Sequence, residues 1–261
     1  MKMYVDVFGE CKPFDPEHFV ETYANAYFLD APRIVPGIRQ NSRYVEEEVQ
    51  EILRSGFSSA VDVIRVMAWK AGKIKQRCSH ESLSFEYNSD WKNWEAEAAG
   101  IADGDVAILE EKSSVSIPYF AAWVWARQKD GTWSGMLQNR DPQSILEAMA
   151  IRCPLGVGTT QLLCLLYFIS GGEYPIIDKF AGAALAAISR SVCVGAEILD
   201  MPLWECLPEK GSKEFKTVYC DRVLPYCGAL NDLFGGRWKT DRDIDRALWI
   251  YGHRFAGGTC R

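Results

Sequence analysis

The sequence predicts an all-α fold, mainly helical with minor short strands. Helix-start signals, in which Asp or Ser precedes an amphipathic run, recur along the whole chain. Strand signals are few and short. With 48% hydrophobic residues among 261, the chain can bury a substantial core as a single compact helical unit.

The predicted elements follow in order. Asp15-Pro16, Ser42 and either Ser58 or Ser59 each precede apolar residues at helical spacing, so a helix is expected after each. Further helices are expected after Asp90, from Ser116 to Trp125, from Asp141-Pro142, over 162–168, from Asp178 to Ser191, over 215–224 and over 240–255. Short strands are expected at 4–8, 106–109 and 131–133.

A glycine turn at 154–160, with the sequence Pro-Leu-Gly-Val-Gly-Thr-Thr, is the most informative segment. It separates the Asp141-Pro142 helix from a leucine-rich run that is apolar nearly all round and should therefore be buried. Gly171-Gly172 ends that run. Such a turn presents free N–H groups at the start of the second helix, which suits a phosphate. The alternative is an ordinary helix–helix turn, in which Gly permits a positive φ.

The segments Gly156-Val157-Gly158 and Tyr174-Pro175-Ile176-Ile177-Asp178 resemble the helix-hairpin-helix DNA glycosylases of the HhH-GPD superfamily. That family has Leu-Pro-Gly-Val-Gly in the hairpin, and an Asp begins a later helix. In the family, the active-site position after the hairpin and this Asp are separated by the same number of residues as Thr160 and Asp178 here. The resemblance covers about residues 141–190. The chain departs from the family in the order Pro154-Leu155 and in Lys179, a cation that would help keep Asp178 ionised.

The resemblance implies a DNA base-excision glycosylase, a hydrolase that flips a damaged or mismatched base out of double-stranded DNA and cleaves its N-glycosidic bond. Bifunctional members carry a Schiff-base lysine at the position of Thr160, so the monofunctional type without β-lyase activity is expected. Asp178 would be the catalytic carboxylate that stabilises a cationic sugar. It would also cap the next helix, and both roles can hold at once. The alternative is a non-catalytic helix-hairpin-helix protein that binds nucleic acid or a protein partner.

The resemblance also implies the remaining parts of the site. The expected phosphate-binding residues are Gly156, Val157, Gly158, Thr159 and Thr160. The main-chain carbonyls of Pro154 and Val157 are expected to hold a monovalent cation. Aromatic candidates for a base pocket are Tyr174, Trp123, Trp125 and Trp133, although core packing is favoured for each of them. Family members place the active cleft between two helical lobes, which implies a two-lobed bundle with lobes at 1–130, completed by the C-terminal helices, and 131–210.

The net charge of −6 counts against a general nucleic-acid binder. The charge is uneven, however, and a local basic patch can act against an acidic remainder. A basic run covers 65–77 and consists of Arg65, Lys70, Lys73, Lys75 and Arg77. This run is either a phosphate-tracking surface or a solvated helix face.

Nine cysteines at wide spacing, without Cys-x-x-Cys, predict reduced and mostly buried thiols. Some relatives in the family bind an iron–sulfur cluster through four closely spaced C-terminal cysteines. Cys220 and Cys227 have no such third and fourth partners, so no cluster is expected. Reduced thiols and a start without an apolar leader predict a cytoplasmic protein. No apolar run reaches membrane-spanning length, and His18, His80 and His253 belong to no motif.

Overall fold

A computed structural model describes residues 2–6, 8–28, 42–75, 86–87, 90–101, 115–191 and 207–256. These residues form an all-α fold with two pairs of very short strands, which confirms the predicted fold class. The chain divides into two compact units, called unit 1 and unit 2. Unit 1 consists of Met1–Asn41, Pro175–Leu207 and Cys220–Arg261, and unit 2 of Ser42–Tyr174 and Pro208–Tyr219. These units divide the chain at other points than the predicted lobes 1–130 and 131–210.

The helices and strands have the following bounds in chain order. The strands are β1 (Met3–Val5), β2 (Cys11–Pro13), β3 (Ile74–Lys75) and β4 (Glu86–Tyr87). The α-helices are α1 (Pro16–Phe28), α2 (Arg43–Ser55), α3 (Ala60–Lys70), α4 (Trp91–Ala99), α5 (Ile117–Lys129), α6 (Thr132–Gln138), α7 (Pro142–Arg152), α8 (Thr159–Ile169), α9 (Lys179–Arg190), α10 (Leu224–Phe234) and α11 (Arg242–Ala256). Single turns of 3₁₀ or π helix cover Glu214–Thr217, Tyr219–Val223 and Gly235–Lys239.

Unit 1 is built around α11, which packs against α1 and α9. Its core contains aromatic rings in edge-to-face or tilted contact, with Phe19 at the centre, 5.4 Å from the ring of Tyr251 and 5.2 Å from that of Tyr23. The buried backbone of β1 is satisfied by two of these side chains. The Tyr23 hydroxyl donates to the carbonyl of Val5 at 2.6 Å, and the Tyr251 hydroxyl accepts from the Val5 N–H at 3.0 Å. Tyrosine hydroxyls therefore tie the N-terminal strand to the helical core.

Unit 2 is built around α3, which packs against α2, α4, α5 and α8. The helix α7 packs against α6 and α8. Asp141 caps α7 as its position in the sequence predicts, because its Oδ1 accepts from the Ser144 N–H at 3.1 Å. The helix α8 is buried from Leu162 to Phe168, which confirms the prediction from its uniformly apolar sequence.

One local prediction is wrong. The expected strand at 131–133 is the start of α6, because Gly131 takes a left-handed conformation with φ 81° and Asp130 accepts hydrogen bonds from both the N–H and the hydroxyl of Thr132. The expected helix at 215–224 is present as 3₁₀ and π helix, and the regular α-helix α10 begins only at Leu224, next to a Pro in its first turn. The first strand is confirmed in a shorter form as β1, and 106–109 lies outside the described residues.

The prediction of reduced cysteines is wrong at Cys11, which is disulfide-bonded. Four cysteines within the described ranges are thiols outside any disulfide. Cys153 and Cys164 are buried, whereas Cys227 is half-buried and Cys220 is exposed. A disulfide is typical of oxidising compartments, so the cytoplasmic prediction loses one of its two premises. In the described part of the chain, no helix combines the length and the apolarity that crossing a bilayer requires.

Candidate functional site

The predicted hairpin is present in unit 2 as a tight turn between α7 and α8. Pro154 accepts a hydrogen bond from the Val157 N–H at 3.3 Å, and Gly156 has a φ of 87°, which a residue with a Cβ adopts only with strain. Val157 points into the core, whereas Leu155 is 92% exposed at the tip. The turn therefore presents one large apolar side chain to solvent, whereas Thr159 at the beginning of α8 is buried.

The amides of the turn are not equally available. The N–H of Gly158 donates to Oε1 of Gln161 at 2.9 Å, so this predicted phosphate donor is used inside the protein. Gln161 stands at the third helical position, where Gln and Glu side chains commonly bind the capping residue. Within the described residues, the amides of Gly156, Thr159 and Thr160 have no protein acceptor. The amides without a protein acceptor are thus at the tip and in the first two positions of α8, of which Thr159 is buried and Thr160 half-buried.

Lys210 occupies the carbonyl side of the same turn. Its Nζ lies 3.1 Å from the carbonyl oxygen of Cys153 and 2.8 Å from Sγ of the same residue, and it also donates to the carbonyl of Pro154. Burial raises the pKa of the Cys153 thiol, and the nearby ammonium only partly opposes this effect. A protein ammonium group therefore stands at Pro154, one of the two carbonyls that were expected to hold a monovalent cation. The other carbonyl, that of Val157, accepts a weak hydrogen bond from Sγ of Cys153 at 3.7 Å.

We call residues 208–219 the strap, because this segment returns to unit 2 and joins α7, the hairpin and α8. The hydroxyl of Thr159 donates to the carbonyl of Pro208. The side chain of Gln143 in α7 donates to the carbonyl of Phe215 and accepts from the N–H of Tyr219, both at 3.0 Å. Sequence reasoning missed the strap and Lys210, since Lys210 is 57 positions from Cys153 and belongs to no motif.

Two of the four aromatic candidates for a base pocket lie in the core of unit 2. Trp123 is 2% exposed and packs edge-on against Trp133, which is itself 1% exposed and donates its indole N–H to the carbonyl of Val124. The half-buried rings are those of Trp125, with the Lys129 ammonium 5.0 Å above it, and Tyr174. Tyr174 meets the ring of Tyr219 edge-on at 5.7 Å. Of the four aromatic residues, these two have the more accessible side chains.

Asp178 is half-buried at the N-terminus of α9 in unit 1. Its Oδ1 accepts from the N–H groups of Phe180 and Ala181 at 3.0 and 2.9 Å, so the predicted N-cap is present. Two backbone donors fix the orientation of this carboxylate. Burial first, and then the negative charge of Asp178, raise the pKa of the Tyr226 hydroxyl well above its usual value.

The side chains next to Asp178 in sequence lie around Phe180. The ammonium of Lys179 is 4.6 Å from the centre of the Phe180 ring, on the exposed side of α9. On α11 the imidazole of His253 stacks on the same ring at 3.4 Å, and its Nδ1 lies 2.9 Å from the carbonyl oxygen of Trp249. His253 is therefore held by ring stacking within unit 1. His18 is exposed on α1, and His80 lies outside the described residues.

Part of the basic run at 65–77 forms ion pairs within the protein. Arg65 pairs with Glu48 at 2.7 Å and with Glu95 at 3.0 Å. Burial raises the pKa of Glu48 above its usual value, and the positive charge of Arg65 opposes this rise only in part. Lys73 is exposed, and the side chains of Lys75 and Arg77 are outside the described part. For Arg65 a structural role in joining α2, α3 and α4 takes precedence over contact with phosphate.

No known protein family, curated protein or solved structure matches this chain. Within the described residues there is also no group of three or more His, Cys, Asp or Glu side chains that suits a metal ion. The hairpin of unit 2 and the capped carboxylate of unit 1 are therefore the two candidate functional features of the described residues.

Proposed function

We propose that this protein is a monofunctional DNA base-excision glycosylase that holds the DNA backbone with the hairpin. The observation that carries the proposal is the unused pair of N–H groups on Thr159 and Thr160 at the start of α8, behind an exposed turn. Such amides, together with the helix dipole, bind phosphate oxygens independently of base sequence. The exposed Leu155 at the tip provides apolar surface for contact with a nucleotide.

The proposed chemistry is carried by Asp178. Hydrolysis of an N-glycosidic bond develops positive charge at C1′, which a preorganised carboxylate stabilises. The two cap hydrogen bonds hold Oδ1 in place, so the carboxylate does not need to reorganise during the reaction. Position 160 carries a hydroxyl and no amine, so the pathway through a Schiff base is closed at that position. Water then completes the reaction, and the strand is left uncut.

A second candidate is a non-catalytic helix-hairpin-helix protein that binds nucleic acid or a protein partner. Two observations count against DNA as the ligand and so favour a protein partner. The N–H of Gly158 is already bonded to Gln161, which removes one phosphate donor, and the net charge of the chain is −6. Asp178 would then serve only as the N-cap of α9.

Asp178→Asn distinguishes the two candidates. Asn caps helices about as well as Asp, so folding should change by less than about 1 kcal/mol, while the negative charge is lost. We expect release of free base from duplexes that each carry one damaged or mismatched base to fall by at least about 100-fold. DNA affinity, measured by fluorescence anisotropy on an abasic duplex, should remain and should weaken with salt.

The matched control is Asp141→Asn, which changes the N-cap of α7 in the same way and should leave base release intact. Equal base release by wild type and Asp178→Asn would remove Asp178 from the chemistry. A covalent protein–DNA adduct trapped by borohydride would overturn the monofunctional mechanism. Binding without base release from any duplex would favour the second candidate.

A further inference from the structure

The ammonium of Lys210 is surrounded by acceptors at the C-terminal end of α7. It contacts the carbonyl oxygen and Sγ of Cys153, at 3.1 and 2.8 Å, and the carbonyl oxygen of Pro154. An ammonium group has three N–H donors and no acceptor, so the three contacts use all of its donors. We propose that Lys210 is a tethered cation, which fills from within the chain a monovalent-cation site formed by the hairpin carbonyls.

The place of these carbonyls explains why a cation is needed there. The last carbonyls of a helix have no partner within the helix and carry the negative end of its dipole. The turn directs the oxygens of Cys153 and Pro154 to one point, and both residues are buried. Clustered carbonyl oxygens of this kind replace the hydration shell of a potassium ion in ion-selective sites. Without a cation, two buried acceptors would lose their strongest partner.

The strap delivers the ammonium to this point. Its first residue is bound through the carbonyl of Pro208 to the hydroxyl of Thr159, and its far end is bound to Gln143. Lys210 thus projects from a segment that is anchored on both sides. A tethered group acts at a high effective concentration, so no ion from solution has to be captured and ordered.

The thermal stability of variants at Lys210 should therefore depend on which monovalent cation the salt contains. In Lys210→Ala the carbonyl oxygens remain and a space opens, so potassium or ammonium ions can enter. Tetramethylammonium is too large to enter and cannot donate hydrogen bonds. In Lys210→Met an uncharged side chain fills most of the space, so no ion can replace the lost charge.

The test is thermal unfolding without DNA, at one ionic strength, in potassium, ammonium or tetramethylammonium chloride. Wild type should give the same Tm in all three salts. Lys210→Ala should melt about 4–8 °C lower in tetramethylammonium and recover at least half of this loss in the other two salts. Lys210→Met should stay low throughout.

Three outcomes would overturn the proposal. They are a wild-type Tm that falls without potassium, a Lys210→Ala variant with one Tm in all three salts, and a variant that stays unfolded in every salt. The readout contains no nucleic acid. A protein without glycosylase activity can therefore still confirm the tethered cation, and the two proposals fail separately.

Discussion

Thr159 contributes two groups to the hairpin, and only one of them is used inside the protein. Its hydroxyl donates to the carbonyl of Pro208 in the strap, while its amide, at the first position of α8, has no protein acceptor within the described residues. An amide at this position is the kind of donor that binds phosphate. The role of this amide can be separated from that of the hydroxyl by comparing two substitutions.

Thr159→Pro removes the amide and the hydroxyl, whereas Thr159→Val removes only the hydroxyl. Proline is well tolerated at the first position of a helix, and Gly158 before it has the extended backbone that proline requires. We expect Thr159→Pro to bind an abasic duplex about 10- to 100-fold more weakly than Thr159→Val, the effect of one hydrogen bond to a charged phosphate. Equal affinities of the two variants would exclude this amide from DNA binding.

At the residue scale, the sequence is informative about local geometry. The cap formed by Asp178 was predicted, and a positive φ such as that of Gly156 was expected for an ordinary helix–helix turn, because each depends on residues a few positions apart. The bond from Gly158 to Gln161 was also readable in principle, since Gln stands three positions after the cap. Lys210 was not readable, because its acceptors are brought to it only by the folding of unit 2.

Two helices of unit 1, α9 and α11, approach each other closely at a glycine. At Gly252 in α11, an added Cβ would overlap the backbone carbonyl of Phe180 in α9. The same contact lets the rings of Phe180 and His253 stack at 3.4 Å. Backbone cannot move aside as a flexible side chain can, so the whole helix would have to shift.

Gly252→Ala should therefore destabilise the protein by about 2–4 kcal/mol, measured by urea unfolding, despite the better helix propensity of alanine. The control is Gly228→Ala in α10, where an added Cβ meets nothing within 4 Å. That exposed position should be neutral or more stable by up to about 1 kcal/mol. A similar response of both variants would contradict the close approach of α9 and α11.

At the element scale, cap signals predicted most of the long helices, since a cap and an apolar face are properties of contiguous sequence. The differences from prediction arose where turns compete with regular structure. Asp130 accepts hydrogen bonds from Thr132, the first residue of a helix that the Gly-Thr-Trp sequence does not predict. The 3₁₀ and π turns before α10 have helical composition without α-helical hydrogen bonding. Periodicity does not distinguish these cases.

At the scale of the whole molecule, a single sequence does not reveal which distant segments assemble into one unit. Each unit is assembled from separate stretches of chain, and the strap belongs to unit 2 although it follows α9 of unit 1 in sequence. Hydrophobic periodicity reports which face of an element is apolar, but not which distant element covers it. The assignment of 42–174 and 208–219 to one unit could for this reason not be predicted.

Unit 1 contains buried tyrosines whose ionisation opposes folding. Burial raises the pKa of Tyr251 to about 12, and burial also raises the pKa values of Tyr23 and Tyr226. A group whose pKa is higher in the folded than in the unfolded state contributes stability that is complete below its unfolded value of about 10. That contribution is lost as the pH rises from about 10 through the folded value. For Tyr251, the rise of the pKa from about 10 to about 12 corresponds to about 3 kcal/mol of folding stability.

Alkaline titration, followed by absorbance at 295 nm, should consequently reveal a late class of buried tyrosines, which includes Tyr23, Tyr226 and Tyr251. The buried class should ionise only between about pH 10 and 12, together with loss of helical signal, because the hydroxyls of Tyr23 and Tyr251 hold the backbone of Val5 in the core. Tyr251→Phe should remove one residue from the late class and cost about 1 kcal/mol at neutral pH, since the Val5 N–H loses its acceptor. One reversible step near pH 10 for all tyrosines, with the helices intact, would contradict this account, because buried hydroxyls cannot ionise there without opening the core of unit 1.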